Sequence, residues 1–584
     1  MNIFENIKNG KLPDDKVIFS ILKEKITDNK NQQEIEKYID ILNNSYTNSS
    51  LEEKILLAKV LFVLETLNSQ DALYNFLNRV LKFNLHQVNI VYEDFFENFI
   101  QEVDADELFD VLNKIVLELE FFSSEELRSF FNWLLHKVWT HKRFFASNRF
   151  VDLYDNLKKL LLKLRDSDRI ADMMYVEFFT YQVMGNNFQT IDEWREFNEN
   201  VTKQTIKGYK KFINNLPKPT PLKKDKIKIA FIKDRIVFNS PYKVEYSLFK
   251  SLMENKEFRD NYEIIVYTFN QFEKSFDDEK CIQKLEDLGI QVNRSVDFFR
   301  EDGYYNNHLE KALTLRENII KDNIDIMIAG GAFPIFNFLY VTRSAPLQIY
   351  YSHGNCAYDV PNIDRRVSHF EQVCKEFEWN IINIPIAKEF LVGYEDDKEK
   401  GFDIKNNIKK EFGKDVVILG TIGRFVKIDS DEYIKTISEI MRQNPNTIYL
   451  ACGEGDTEGI KEKLKKYNID EERFIFMGLV NPHVYGWVID VWPDSFPLRQ
   501  GQSKNEYIAK GGVVVFMEEY LNDTIREWYK NSDINVFAKD IKDYIDLISL
   551  YINDLEERKI VSEFNKTIFD EKINIQKVLK VFNV

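Results

Sequence analysis

Residues 494–515 combine a loop containing proline and glycine with a predicted helix that carries an early acid. The first backbone N–H groups of a helix lack partners within the helix, and the helix dipole makes that end positive. A phosphate group suits such a position, and Glu506, one turn further, would accept hydrogen bonds from ribose hydroxyls. An ordinary helix start with an early acid shows the same pattern. The candidate binding residues are Gly501, Gln502, Ser503, Asn505 and Glu506.

Two cations follow an earlier predicted strand, in the stretch Leu419–Asp429. Arg424 can place a forked guanidinium on a phosphate, and Lys427 can add a point charge. A departing diphosphate needs such charge where no metal neutralises it, so Lys427 is also a catalytic candidate. Solvated loop cations would give the same sequence pattern.

A candidate nucleobase site lies in the stretch Phe476–His483. Gly478 and Val480 follow a predicted strand, where their backbone groups would read the edge of a base. His483 is a candidate for the same pocket, although a histidine that caps a helix or faces solvent would fit equally well.

Acid–base chemistry has a candidate in His353, which follows the predicted strand Leu347–Tyr351 and precedes Gly354. Histidine titrates near neutrality, so His353 suits a general base. A structural histidine would occupy such a position as well.

Paired carboxylates occur at positions 104/106, 166/168 and 429/431. The first two pairs fall in helical sequence, and the third precedes a helix, where acids favour the dipole. No two cysteines have the CxxC spacing of a structural zinc site. The sequence therefore predicts no metal site.

The periodicity of apolar residues divides the chain into three regions. Apolar positions recur every three or four residues in 1–216, which predicts an all-α accessory domain. Alternating prolines in 216–225 end it, because proline continues neither a helix nor a central strand. Strands alternate with helices in 226–400 and again in 401–584, which predicts two tandem α/β domains of Rossmann type. The cleft between the two domains is the predicted site.

Composition narrows the function classes. The 584 residues carry a net charge of −16, and an acidic surface repels a nucleic acid backbone. The four cysteines are too few for a disulfide framework and are expected to be free, which suits a reducing cytoplasm. No signal peptide is recognisable, and the apolar run Ile55–Leu67 is too short and too charged to span a bilayer. We expect a cytoplasmic protein without a transmembrane segment.

Over residues 226–580, the order and spacing of these motifs resemble family 41 glycosyltransferases, the O-GlcNAc transferases and bacterial adhesin glycosyltransferases. In the first half the matching features are Ile324–Ile328, Arg343–Gln348, His353-Gly354 and Ile363-Asp364. In the second half they are Lys427 as the diphosphate lysine, Asp494–Pro497 before the phosphate-binding helix, Gln500–Gln502 at its start and Glu506 as the ribose carboxylate. The resemblance implies the two-Rossmann fold called GT-B, here behind a helical domain.

The loop after the first strand departs from the family, whose members often carry a histidine there. Residues 234–245 have no histidine and offer Asp234, Tyr242, Lys243 and Glu245 instead. Glu245 is therefore a second candidate for the catalytic base beside His353, and the sequence leaves the choice open.

The resemblance implies a hexosyltransferase that needs neither metal nor bound cofactor. It would move a hexose or N-acetylhexosamine from a UDP-linked donor to a protein side chain or glycan, with inversion. Two alternatives stay open: a nucleotide-sugar epimerase of similar architecture, and a catalytically inactive adaptor or chaperone. The long helical domain argues against the epimerase, while Arg424, Lys427 and Glu506 argue against the inactive protein.

Overall fold

The computed structural model describes residues 3–68, 71–141, 143–144, 148–188, 190–220, 225–271, 273–294, 307–331, 333–521, 523–569 and 573–582. By internal packing the chain divides into two compact units. The first unit comprises Met1–Val237, Asp260–Asn380 and Val581–Val584, and the second comprises Phe238–Arg259 and Ile381–Lys580.

Helices form the N-terminal region and then alternate with strands. Among the described residues, the α-helices in chain order are α1 (Ile3–Lys8), α2 (Asp15–Glu24), α3 (Gln32–Asn48), α4 (Leu51–Leu67), α5 (Ala72–Val80), α6 (Ile90–Glu102), α7 (Ala105–Glu118), α8 (Ser124–Trp133), α9 (Tyr154–Asp166), α10 (Ile170–Gly185), α11 (Ile191–Phe197), α12 (Lys203–Thr205), α13 (Lys210–Asn215), α14 (Ser240–Glu254), α15 (Lys256–Asn261), α16 (Glu279–Asp287), α17 (His308–Lys321), α18 (Pro334–Val341), α19 (Lys388–Leu391), α20 (Glu395–Phe412), α21 (Asp431–Gln443), α22 (Thr457–Lys466), α23 (Pro482–Val488), α24 (Gln502–Ala509), α25 (Asp523–Tyr529), α26 (Ile541–Asn553), α27 (Leu555–Asn565) and α28 (Ile575–Phe582).

Reciprocal capping explains where several N-terminal helices begin. The predicted capping box at Ser123 and Glu126 is confirmed, because each side chain accepts a hydrogen bond from the other residue's backbone N–H. Ser50 and Glu53 open α4 in the same way. The apolar run that starts at Ile55 forms the buried part of α4, as the sequence predicts. The all-α character of this region is confirmed.

The strands of the first sheet are β1 (Ile227–Lys233), β2 (Tyr262–Thr268), β3 (Gln291–Asn293), β4 (Ile326–Ala329), β5 (Leu347–Ser352), β6 (Arg365–Ser368) and β7 (Asn380–Ile381). They form one sheet in the order β3-β2-β1-β4-β5-β6-β7. Neighbouring strands from β3 to β6 pair in parallel. β4 and β5 are buried along their whole length, as apolar strands are when helices cover both faces of a sheet.

The strands of the second unit are β8 (Val417–Ile422), β9 (Thr447–Cys452), β10 (Phe474–Gly478), β11 (Val491–Pro493), β12 (Val513–Met517) and β13 (Phe537–Ala538). They pair in parallel in the order β10-β9-β8-β11-β12-β13. Counted from its own first strand, each sheet contains the order 3-2-1-4-5-6 of doubly wound nucleotide-binding folds. The prediction of two Rossmann-like domains behind a helical region is confirmed.

Packing joins the helical region to the first sheet within the first unit. The Asn337 amide of α18 donates to Glu177 Oε1 of α10 over 2.9 Å, and the Tyr358 hydroxyl donates to Asn337 Oδ1 over 2.6 Å. All three side chains are buried. The helical region and the first sheet therefore share one core.

The domain limits predicted at 216, 226 and 400 stay predictions. Residues 221–224 of the proline-rich segment lie outside the described residues. Residues 238–259 and 381–400, which the sequence places in the first Rossmann-like domain, pack with the second unit.

The cysteines differ from expectation. Cys356 and Cys374 form a disulfide with a Cα–Cα distance of 5.7 Å, so the prediction of free cysteines is wrong for this pair. Cys281 and Cys452 are free and buried. The 18-residue separation of the bridged pair carries no sequence signal, because tertiary packing brings the two residues together.

The cytoplasmic location stays a prediction. Among the described residues, no helix is both long enough and apolar enough to cross a membrane.

Candidate functional site

The strand order of the second sheet reverses between β8 and β11, which are neighbours at its centre. Open α/β sheets bind ligands at such a point, outside the carboxyl ends of the strands. The loop after β8 carries Arg424 and Lys427, and the loop after β11 runs from Asp494 to Gly501. The fold thus brings two of the predicted motifs to the same edge of one sheet.

Four basic side chains and one acid act on one another at this edge. Burial first, and then the charges of Arg424, Lys504 and Arg499, lower the pKa of Lys427 to about 8, although Asp494 acts in the opposite direction. Burial also lowers the pKa values of Lys504 and Arg499. Mutual repulsion among cations around a single carboxylate favours a bound polyanion. We call these four basic residues the cation cluster.

Asp494 organises the loop that carries Arg499 and leads into α24, which carries Lys504. Its Oδ1 accepts from the backbone N–H of Gln500 over 3.2 Å, and its Oδ2 accepts from Lys504 Nζ over 3.4 Å. The Tyr544 hydroxyl donates to its carbonyl oxygen over 2.8 Å. Sequence reasoning used Asp494 only as part of a motif and missed this role, although a lone acid beside several cations was a usable signal.

The start of α24 lies against Lys427. A Cβ atom built on Gly501 would stand 3.8 Å from Lys427 Nζ, so the ammonium group faces the helix start. The Ser503 hydroxyl donates to the Ile422 carbonyl over 2.6 Å and anchors α24 to the end of β8. The Ser503 hydroxyl therefore has a structural contact, while the role of Gly501, Gln502 and Ser503 as an anion site at the helix start stays a prediction.

Several buried polar atoms beside α24 lack partners within the described part of the chain. Both amide atoms of Gln500, Nε2 of Gln502 and one terminal nitrogen of Arg499 make no hydrogen bond there. A Cβ atom on Gly423 would lie 2.2 Å from Gln500 Oε1, so a glycine is required for Gln500 to occupy its place. Unpaired buried polar atoms cost free energy, which a polar ligand would recover. Asn505 is half-buried on the same helix, and its binding role stays a prediction.

Glu506 is held by a lysine that is distant in sequence. Lys243 Nζ of α14 donates to Glu506 Oε1 over 2.6 Å, and the two side chains are 9% and 2% exposed. Burial raises the pKa of Glu506, while Lys243 and then Lys510 lower it. Across the described residues, Glu506 Oε2 has no hydrogen-bond partner. One oxygen of the predicted ribose carboxylate thus remains able to accept.

The predicted nucleobase residues lie in and after β10. The Gly478 carbonyl accepts from Gly453 N–H over 2.8 Å, and Val480 is half-buried against the core of the second unit. Burial first, and then the charges of Lys510 and Lys243, lower the pKa of His483 to about 4.

The same two lysines therefore face His483 and Glu506, which brings these two predicted residues together. Both ring nitrogens of His483 lack partners among the residues that the structure describes. The nucleobase role of Gly478, Val480 and His483 stays a prediction.

The two candidates for the catalytic base belong to different units. In the first unit, His353 follows β5, and its ring centroid lies 4.4 Å from that of Tyr351 and 5.6 Å from that of His369. A Cβ atom on Gly330 would approach His353 Cδ2 to 3.1 Å, so glycine leaves room for the ring after β4. Glu245 lies on α14 in the second unit and is 5% exposed. The choice between them stays open.

No group of three or more His, Cys, Asp or Glu side chains within the described ranges is placed to hold a metal ion.

Gly453→Ala tests the close packing of the loops at this sheet edge. Gly453 has a φ of +147°, and an added Cβ would lie 1.9 Å from the Gly423 carbonyl oxygen. The backbone conformation alone should cost about 1–3 kcal/mol, and the clash should add to that cost. Gly413→Ala is the matched control, since Gly413 has a φ of +112° and no described heavy atom within 4 Å of the built Cβ. The temperature of thermal unfolding should fall further for Gly453→Ala than for Gly413→Ala, and an equal fall in the two variants would contradict the close packing.

Comparisons with known proteins give fold-level similarity. No family model matches the chain, and no curated protein sequence matches it significantly. A variant of the O-GlcNAc transferase from Thermobaculum terrenum aligns at 12% identity and a TM-score of 0.48, covering 84% of this chain and 96% of that one. HepE from Anabaena, solved with UDP and glucose, aligns at 13% identity and a TM-score of 0.43, covering 61% and 99%. A putative UDP-N-acetylglucosamine 2-epimerase from Listeria monocytogenes aligns at 13% identity and a TM-score of 0.36, covering 61% of this chain and 96% of that one. These scores carry no argument about activity, and the two-Rossmann GT-B architecture rests on the strand orders themselves.

Proposed function

We propose that the protein is a glycosyltransferase whose second unit binds a nucleoside diphosphate sugar. The observation that carries this proposal is the placement of complementary groups along α24. The cation cluster and free N–H groups lie at its start, and the unpartnered oxygen of Glu506 lies four residues after Gln502. At 1.5 Å per residue this is about 6 Å along the helix axis. Phosphates at one end and ribose hydroxyls at the other match these groups.

The proposed chemistry is a single displacement at the anomeric carbon. An acceptor oxygen or nitrogen attacks that carbon, the bond to the diphosphate oxygen breaks, and its electron pair stays on the diphosphate. Lys427, Arg424 and the helix start stabilise the charge that develops there. The acceptor's proton passes to His353 or Glu245. Attack from the face opposite the diphosphate inverts the configuration.

The proposed donor is a UDP-linked hexose or N-acetylhexosamine, and the proposed acceptor is a protein side chain or a glycan. Gly478, Val480 and His483 would contact the base. The charge of the cation cluster supports catalysis without a metal, since fixed cations at a developing oxyanion do the work of a bound ion.

The experiment is a donor screen on the full chain, following nucleoside diphosphate release in the presence of EDTA. We expect slow release from one UDP-sugar, because water replaces the acceptor. Lys427→Ala and Glu506→Ala should each reduce the rate, by about 10²–10³-fold for the charge-stabilising lysine. Lys435→Ala is the matched control, since Lys435 is exposed on α21 of the same unit.

The products of the same screen separate the rivals. An epimerised sugar nucleotide would replace the transferase by an epimerase. No binding and no release with any donor would favour the inactive adaptor. Release that depends on added divalent metal would contradict the metal-free mechanism alone.

A further inference from the structure

The ion pair between Lys243 and Glu506 is more tightly constrained than surface pairs of this chain. Lys243 lies in the first turn of α14, which begins with Pro241 at an early position and Asn239 as its cap. The Asn239 side chain accepts from Tyr242 N–H over 2.9 Å, so the start of this helix is fixed. The ammonium group also lies 5.0 Å from the centre of the Phe238 ring. Helix geometry, a cation–π contact and a short hydrogen bond thus set the position of one nitrogen atom.

This ion pair is expected to add little to the free energy of unfolding. Removing both charges from water opposes their attraction, so a buried ion pair is often no more stabilising than apolar residues of similar size. The cost would be lower if every carboxylate oxygen were hydrogen-bonded, yet Glu506 Oε2 has no partner within the described ranges. An arrangement that stabilises little and leaves an acceptor open is suited to orienting that acceptor.

Lys510, the other cation near Glu506, is engaged elsewhere. Its Nζ donates to the Leu391 carbonyl over 2.7 Å and to the Glu506 carbonyl over 3.0 Å, so both contacts are to backbone. Lys243 is therefore the residue that fixes the Glu506 side chain, by holding Oε1 and turning Oε2 outward. A carboxylate oxygen accepts only, so its ligand must donate, as a hydroxyl does and a phosphate does not.

We infer that Lys243 is a positioning residue that orients the Glu506 carboxylate for the ribose hydroxyls of the donor. The inference rests on the proposed function. Lys243 makes no contact with the sugar or the phosphates in this account and acts through Glu506. It therefore decides how well the protein distinguishes a ribonucleotide from an analogue without hydroxyls.

The direction of the electrostatics supports this role. Burial raises the pKa of Glu506, and Lys243 opposes that rise before Lys510 does. Without the Lys243 charge, the carboxyl would hold its proton at a higher pH and lose acceptor strength. The lysine thus keeps Glu506 both ionised and oriented.

The test compares UDP with its dideoxy analogue, which lacks both ribose hydroxyls, by calorimetric titration of the full chain in EDTA. The wild-type protein should prefer UDP by about 10- to 100-fold, the range for hydrogen bonds to a charged group. Lys243→Met should lower the affinity for UDP toward that for the analogue, and it should leave the affinity for the analogue unchanged. Lys243→Arg should recover part of the preference, because it restores charge and donor.

Two further variants separate positioning from folding. Glu506→Gln should reduce the preference to the same extent, and the double variant should lose no more than either single one. Lys250→Met is the matched control on the same helix, since Lys250 pairs with Glu389 over 2.9 Å. It should keep the full preference. If Lys243→Met does not fold, Lys243→Gln is measured in its place.

An unchanged preference in folded Lys243→Met or Lys243→Gln would overturn the inference and leave the proposed function standing. Equal weakening of both nucleotides would also overturn it, because it indicates a structural role. A wild-type protein that binds neither nucleotide, nor ADP or GDP, would overturn the proposed function, and the inference would fall with it.

Discussion

Lys427→Met is expected to abolish measurable nucleoside diphosphate binding while raising the temperature of thermal unfolding. Binding is weakened beyond detection because the ammonium group that faces the start of α24 is removed, and a hydrogen bond to a charged group contributes about 10- to 100-fold in affinity. Stability rises because burial and neighbouring cations lower the Lys427 pKa to about 8, so folding places a charge where it is disfavoured. Methionine fills similar space without that charge.

The sign of the Lys427 contribution to the free energy of unfolding can be followed with pH. Above about pH 8 folded Lys427 gives up its proton, while the unfolded chain keeps it up to about pH 10.4. The unfolded state binds more protons in that window, so the Lys427 contribution makes the free energy of unfolding rise with pH. This contribution should be absent in Lys427→Met. Binding of the diphosphate needs the charged lysine, so kcat/KM for the donor should fall above about pH 8 in the wild-type protein.

Differential scanning calorimetry at several pH values and UDP titration check both effects. Lys435→Met is the control, since it removes an exposed lysine of α21 and should change neither. A variant that binds UDP normally, or that unfolds at a lower temperature, would contradict the assignment of Lys427.

Asp494→Asn is expected to cause a large loss of stability. Lys504 is 4% exposed, and its ammonium group has Asp494 Oδ2 as its carboxylate partner at 3.4 Å. Removing the acid leaves a buried cation uncompensated, which costs about 3–5 kcal/mol. The asparagine Oδ1 can still accept from Gln500 N–H, so the loss reports the charge more than the loop. Chemical denaturation measures it.

The double variant Asp494→Asn with Lys504→Met provides the control, because it removes both charges and should regain most of the stability. The single variant should also become more stable toward alkaline pH. Burial lowers the Lys504 pKa, so its folded state releases the proton before its unfolded state does. A wild-type denaturation midpoint for Asp494→Asn would contradict this account of the loop.

Sequence patterns predicted the fold well because each strand of a buried parallel sheet appears as a short apolar run that can be recognised locally. The predicted strands Val416–Gly420 and Thr447–Ala451 match β8 and β9 within two residues at each end. The alternation of strands and helices then leaves few topologies, and the carboxyl ends of the central strands bring Arg424, Lys427 and Gly501 together.

What the sequence did not predict depends on contacts between distant residues. Lys243 and Glu506 are 263 positions apart, and no periodicity links them. The same holds for α14, which follows β1 in the chain but packs with the second unit. The Cys356–Cys374 bridge was missed because cysteine count, not spacing, was the available signal. Motif residues were therefore predictable, while the residues that hold them in place were not.

The central claim is that the second unit binds a nucleoside diphosphate through fixed protein charge. Calorimetric titration of the full chain with UDP in EDTA tests it most directly. The account predicts saturable binding of one UDP per chain, lost in Lys427→Met and kept in Lys435→Met. Absence of binding by UDP, ADP and GDP, or binding that appears only when magnesium is added, would contradict it.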